Sequence, residues 1–184
     1  MRTLSDILAV QRLDPAAMTD SGRLWIPDLV RDNIEKGIYF GYVKHIGPKV
    51  RDVSVGDKVM FSRWENEPWE SGIKYCGMHE RDVMGIMSPS LHPLSDHLLL
   101  EPLKPEPISK GGIIIPDNAQ DRPLRARVLA VGPGLWENGC RTPMEVSPGA
   151  IVLYGKLAGT EITLEEKQYR IIREKDILAV ESDA

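Results

Sequence analysis

The sequence predicts an all-β protein, and three observations carry that expectation. Apolar runs of four or five residues, rich in β-branched side chains, recur along the chain and stop at Gly, Pro, Asp or Asn. The 16 glycines and 14 prolines are scattered through all 184 residues rather than gathered in one linker. Only residues 28–36, with Leu29, Val30 and Ile34 as an apolar side, have the spacing for a helical turn or two. Many short strands and almost no helix make a barrel or a sandwich.

The strands are expected in this order. Residues 7–10 form a continuous apolar run opened by Leu4-Ser5-Asp6, and residues 42–46 end at Gly47-Pro48. Residues 58–61 follow the Gly56-Asp57 turn, and residues 97–100 follow Leu94-Ser95-Asp96. Residues 127–131 end at Gly132-Pro133, and residues 151–154 lie between Pro148-Gly149 and Gly155. Residues 169–172 and 177–180, separated by a charged turn, close the series.

The punctuation itself repeats. Leu4-Ser5-Asp6 recurs as Leu94-Ser95-Asp96, and Gly22-Arg23-Leu24-Trp25-Ile26-Pro27-Asp28 as Gly111-Gly112-Ile113-Ile114-Ile115-Pro116-Asp117. Val43-Lys44-His45-Ile46-Gly47-Pro48 lines up with Val128-Leu129-Ala130-Val131-Gly132-Pro133. Val53-Ser54-Val55-Gly56 lines up with Val146-Ser147-Pro148-Gly149, and Glu80-Arg81-Asp82-Val83 with Glu174-Lys175-Asp176-Ile177. Five blocks in one order read as two tandem units, 1–89 and 90–184. Each unit is large enough for only a marginal core, so each is expected to pack against a neighbour.

The units are unequal. Unit one crosses from its Gly-Pro block to its Val-Ser block with Lys49-Val50-Arg51-Asp52, whereas unit two uses residues 134–145, including Glu137-Asn138-Gly139. Asn-Gly is a strong hairpin signal because both residues tolerate positive φ, so unit two should carry a projecting hairpin that unit one lacks. Eight of the eleven aromatic residues, three of four Trp among them, fall in unit one. That skew marks unit one as the half that has acquired something new.

Several functional classes are excluded. A net charge of -4, from 23 basic and 27 acidic groups, argues against a broad nucleic-acid footprint. No window approaches the roughly 18 apolar residues of a membrane helix, and Met1-Arg2-Thr3-Leu4-Ser5-Asp6 is too polar for a signal peptide. Cys76 and Cys140 stand alone, which fits a reducing cytoplasm and neither a disulfide framework nor a zinc knuckle. Ser95-Asp96-His97 has the letters of a hydrolytic triad, but consecutive strand residues point to opposite faces. Gly132-Pro133-Gly134 lacks a phosphate-loop lysine. No enzyme, metal or cofactor is expected.

Two segments stand out instead. Residues 104–110 are polar and proline-rich and lead into Gly111, Gly112, Ile113, Ile114 and Ile115, after which residues 117–123 are polar again. One reading is an edge strand folded on its own barrel; the other is a recognition loop that orders in a partner's apolar groove. Unit one repeats the design with Leu24, Trp25 and Ile26. Burying three aliphatic side chains is worth roughly 1.5–3 kcal/mol each, while ordering the loop costs about 1–2 kcal/mol per residue. One such loop binds weakly, and useful affinity needs several loops on one body.

Unit two resembles the GroES family of co-chaperonins. The resemblance rests on Leu94 through Leu100, the Gly111-Gly112-Ile113 loop, Val131-Gly132-Pro133-Gly134, Glu137-Asn138-Gly139, Lys156-Leu157-Ala158-Gly159-Thr160 and the closing Glu174-Lys175-Asp176 block. It implies a pair of small β-barrels, each with an extended mobile loop, that assemble into a homo-oligomeric ring and cap a GroEL-type chaperonin. Gly111, Gly112, Ile113, Ile114 and Ile115, and by repetition Leu24, Trp25 and Ile26, would dock on the chaperonin. Glu137, Asn138 and Gly139 would form the roof of a chamber holding an unfolded client, and ATP hydrolysis would belong to the chaperonin. Unit one is similar but diverged: Arg23 replaces the second glycine, and the roof hairpin is missing. A tandem arrangement resembles the double co-chaperonins of chloroplasts. A second reading stays open, in which a barrel pair, cellular or virus-encoded, serves as a structural or assembly protein in the cytoplasm without capping.

Overall fold

The structure is a computed structural model that describes residues 3–13, 33, 36–62, 67–68, 75–103, 109–110, 113–114, 124–137, 139–164 and 167–181. The first seven strands are β1 (Ile7–Arg12), β2 (Ile38–Ile46), β3 (Lys58–Ser62), β4 (Glu67–Pro68), β5 (Tyr75–His79), β6 (Val83–Met87) and β7 (Leu91–Pro93). They form one antiparallel sheet in the order β4-β5-β1-β2-β3-β6-β7. There follow β8 (His97–Pro102), β9 (Ser109–Lys110), β10 (Ile113–Ile114), β11 (Leu124–Val131), β12 (Trp136–Glu137) and β13 (Cys140–Arg141). The last are β14 (Ile151–Tyr154), β15 (Thr160–Leu164), β16 (Lys167–Arg173) and β17 (Ile177–Glu181). A six-stranded sheet runs β15-β16-β8-β11-β14-β17, and the pairs β9-β10 and β12-β13 stand as separate two-stranded ribbons.

The fold is all-β, as the punctuation predicts. The helix expected over residues 28–36 lies almost wholly outside the described residues; Asn33 is helical and Lys36 is in a turn. All eight expected runs lie in strands. The eight runs leave out β4, β5, β6, β7 and β15, and β5 shows why. In β5 the buried positions are Cys76 and Met78, alternating with half-buried Tyr75, Gly77 and His79. The period is two, but it is carried by residues other than the β-branched ones that mark a strand by eye.

Local geometry repeats between the halves. Ser5 and Ser95 both adopt left-handed backbone, with φ of 56° and 52°. Each sits in a turn closed from Ile7 N–H to Leu4 O or from His97 N–H to Leu94 O. The turn carbonyls lie so close to the next connection that a Cβ on Gly47 would overlap Ser5 O, and one on Gly132 would overlap Ser95 O. Side chains are thereby excluded at both positions, which is why the Gly-Pro blocks recur. The carboxylate of Glu80 accepts from the Arg51 and Asp52 amides, and that of Glu174 from the Glu145 and Val146 amides. Each glutamate opens a 3-10 turn, Glu80–Asp82 or Glu174–Asp176.

Core side chains follow the same correspondence. Leu8, Val10, Val43 and Phe61 share one buried cluster; Leu98, Leu100, Val128 and Tyr154 share another. A third cluster joins the halves: Ile38, Phe40, Met60 and Met84 from one side, Leu99 and Ile171 from the other. Strand β7 reinforces that junction, with Leu91 opposite Met87 and His92 opposite Ile86 on β6. Pro93 ends this outer strand, where no donor is required of it.

Gly132→Ala should lower stability by about 2 kcal/mol, or about 4–8 °C in Tm, because the added methyl meets backbone. Gly155→Ala, where the nearest atom to a new Cβ is Ala158 Cβ at 4.0 Å, should shift Tm by less than about 2 °C. Thermal melts of the two variants check both.

Candidate functional site

The second loop leaves the six-stranded sheet after β8 and returns at β11. Within it, β9 and β10 pair antiparallel, with Lys110 opposite Ile113 and Ser109 opposite Ile114. The first two members of the apolar tripeptide therefore lie on a ribbon of their own, not on the edge of the main sheet. Gly111, Gly112 and Ile115 lie outside the described residues, as do Leu24, Trp25 and Ile26 of the first loop.

The expected hairpin of the second half is present. Glu137 pairs with Cys140, and Gly139 takes φ of 84° between them; Asn138 lies outside the described residues. Rather than projecting free, the hairpin lies against the short connection of the first half. The Arg51 guanidinium sits 3.9 Å from the Trp136 ring centre, and Arg141 approaches the same ring at 4.9 Å. Arg141 also pairs with Asp52, both side chains being largely covered. Stacking a guanidinium on indole suits arginine, whose flat cation keeps its edge donors free for a carboxylate. The four-residue connection of one half and the longer one of the other thus fit together.

A surface cleft of about 630 Å³ opens beside this contact, lined by Asp6, Lys49, Arg81, Glu137 and Arg173 among others. Its charges are of both signs. Burial raises the Asp6 carboxyl, but the hydrogen bond from His79 at 3.1 Å and the His79 charge outweigh burial and hold it below its ordinary range. Asp6 is therefore an ionised pairing group, unsuited to proton transfer at neutral pH.

The triad letters do not converge. Ser95 is in the left-handed turn, and His97 is buried with Nδ1 2.9 Å from Leu94 O, so that nitrogen carries the proton. Burial disfavours the imidazolium and pushes the His97 pKa down. Cys76 is buried, with its thiol pKa pushed up by desolvation, and Cys140 is exposed; both are free. Among the described residues no group of three His, Cys, Asp or Glu side chains could hold a metal ion. No helix among them is long and apolar enough to cross a membrane.

Sequence comparison places the second half unambiguously. Residues 90–181 match the family described as Chaperonin 10 Kd subunit. The chain belongs to that family. The co-chaperonin GroES of Rhodothermus marinus is 49% identical over 90 residues, covering 49% of this chain and 90% of that protein. The GroES of Coprothermobacter proteolyticus is 47% identical over 91 residues, covering 49% of this chain and 93% of that protein. The GroES of Solidesulfovibrio magneticus is 48% identical over 91 residues, covering 49% and 95%. In this member of the family strands β1 to β6 precede the matched segment, which itself adds β7 to their sheet.

Sequence reasoning did not find the Arg51–Trp136–Arg141–Asp52 contact. Its members are separated by up to about 90 positions, and nothing in either segment's periodicity joins them.

Two measurements bear on these groups. A double-mutant cycle of Asp52→Ala and Arg141→Ala should return a coupling of about 1 kcal/mol in urea unfolding, and a value near zero would show an idle surface pair. Folded His97 titrates below the ordinary 6.5 of the unfolded chain. As pH falls below 6.5 the unfolded state therefore binds more protons, and stability drops. His97→Asn, which keeps a donor for Leu94 O, should flatten that fall in urea titrations below pH 6.5.

Proposed function

We propose that the chain is a tandem co-chaperonin that caps a GroEL-type chaperonin and assists ATP-dependent folding of a client held in the closed chamber. The observation that carries this reading is the apolar Ile113–Ile114 segment on a separate ribbon inside a half that matches the chaperonin 10 Kd family. Ile113, Ile114 and Ile115, with Gly111 and Gly112 before them, dock on the chaperonin, and Leu24, Trp25 and Ile26 do so for the first half. Glu137, Asn138 and Gly139 form the roof. The chain itself hydrolyses nothing.

Residues 1–89 are, in this reading, a diverged copy of the barrel in 90–184. The paired Ser5 and Ser95 turns, the paired Gly47 and Gly132 approaches and the paired Glu80 and Glu174 carboxylates support it. Copies of the chain then join into a ring in the cytoplasm. Support comes from β17, an outermost strand whose Leu178 and Val180 are 62% and 48% exposed. Its counterpart β6 is covered by β7 within the chain.

Co-sedimentation with a purified GroEL-type chaperonin, with and without ATP, tests the reading. Nucleotide-dependent capture is expected, and Ile114→Asp should weaken it about 100-fold or more while leaving the circular-dichroism spectrum unchanged. Absence of capture under both conditions would sink capping and favour the assembly-protein reading. Capture that survives Ile114→Asp would show that the second loop is not the docking element.

A further inference from the structure

The root of the first loop is held by the other half of the chain. Asn33 is fully buried, and its carboxamide meets the backbone of Thr163 on β15. Nδ2 donates to Thr163 O at 2.8 Å, and Thr163 N–H donates to Oδ1 at 2.8 Å. Lys36 Nζ donates to Thr163 Oγ1 at 2.8 Å. Only one orientation of the amide satisfies both backbone bonds, since the flipped one sets donor on donor and acceptor on acceptor.

The position of Thr163 gives these bonds their meaning. β15 is the outermost strand of the six-stranded sheet, and Thr163 lies opposite Gln168 on β16. In an antiparallel pair, alternate residues turn both backbone groups away from the neighbour. Thr163 is such a residue, because both its N–H and its C=O are engaged by Asn33 on the open side. A carboxamide presents a donor and an acceptor side by side, as a peptide group does. Asn33 therefore does for this edge what one residue of a further strand would do.

The other end of the same loop is pinned as well. Leu13 N–H donates to Phe40 O at 2.8 Å, and the Leu13 side chain packs on the cluster that joins the halves. Leu13 and Asn33, which bracket Leu24, Trp25 and Ile26 in the sequence, thus both lie at the junction.

We propose that Asn33 is a positioning residue that completes the edge of β15 and fixes where the first loop leaves the fold. The loop of the first half is thereby tied to the sheet of the second. The proposal concerns the chain alone and stands whichever partner the loop meets.

Two readouts on the full chain test it. In Asn33→Ala, hydrogen exchange at the Thr163 amide should quicken by about tenfold or more, while Leu98 to Leu100 in the middle of the sheet keep their rates. In the same variant, brief trypsin treatment should cut after Arg23 and Arg31 several-fold faster, with cleavage after Lys110 of the second loop unchanged. An unchanged Thr163 rate would overturn the proposal. So would an equal acceleration at every amide and at both loops, which reports general destabilisation.

Discussion

The apolar contact between the two sheets is the interaction on which the rest of the structure depends. Ile38, Phe40 and Met60 are wholly buried on one side of it, and Ile162 and Ile171 on the other. Each half has few residues with which to bury a core, so this shared cluster gives each the neighbour it lacks. At roughly 1.5–3 kcal/mol for a large side chain fully removed from water, it outweighs any single polar tie across the junction. The stacking of Arg51 on Trp136 and the bonds of Asn33 to Thr163 are made at its margins. They set orientation where apolar packing alone would be permissive.

Within each half a different constraint acts. The left-handed turns at Ser5 and Ser95 press their carbonyls against Gly47 and Gly132. Glu80 and Glu174 each gather the amides of a connection that would otherwise be exposed. These knots hold strand ends rather than strand middles. The connections between corresponding strands differ in length, four residues in one half and a hairpin in the other, while the strand orders of the two sheets correspond. A chain of the chaperonin 10 Kd family thus carries a hairpin on one side of its junction and a dock for it on the other.

The functional reading draws on the same inequality. The second half aligns with a GroES co-chaperonin along nearly its whole length, 49% identical over 90 residues. The first half contributes a shared strand pair through β6 and β7, a stacking partner for Trp136 and the amide that closes β15. A protein that caps a chaperonin through several weakly binding loops needs those loops on one rigid body. Each of the three contacts stiffens the link between the halves.

The all-β class, the eight apolar strands, the recurring Leu-Ser-Asp and Gly-Pro turns and the Asn138-Gly139 hairpin were legible because they obey local rules. Strand period, glycine at close backbone approaches and two-residue turns are all written within a few neighbouring residues. Strand β5 escaped because Cys76 and Met78 carry its buried face, and β7 because three residues make no period. What only the tertiary structure decided is which distant groups meet. Asn33 and Thr163 are 130 positions apart, and Arg141 and Asp52 are 89 apart. An asparagine on the polar side of an expected helical turn reads as ordinary surface, and so does an arginine in a connection. Their roles depend on an open strand edge and an exposed indole that exist only once the two sheets have packed.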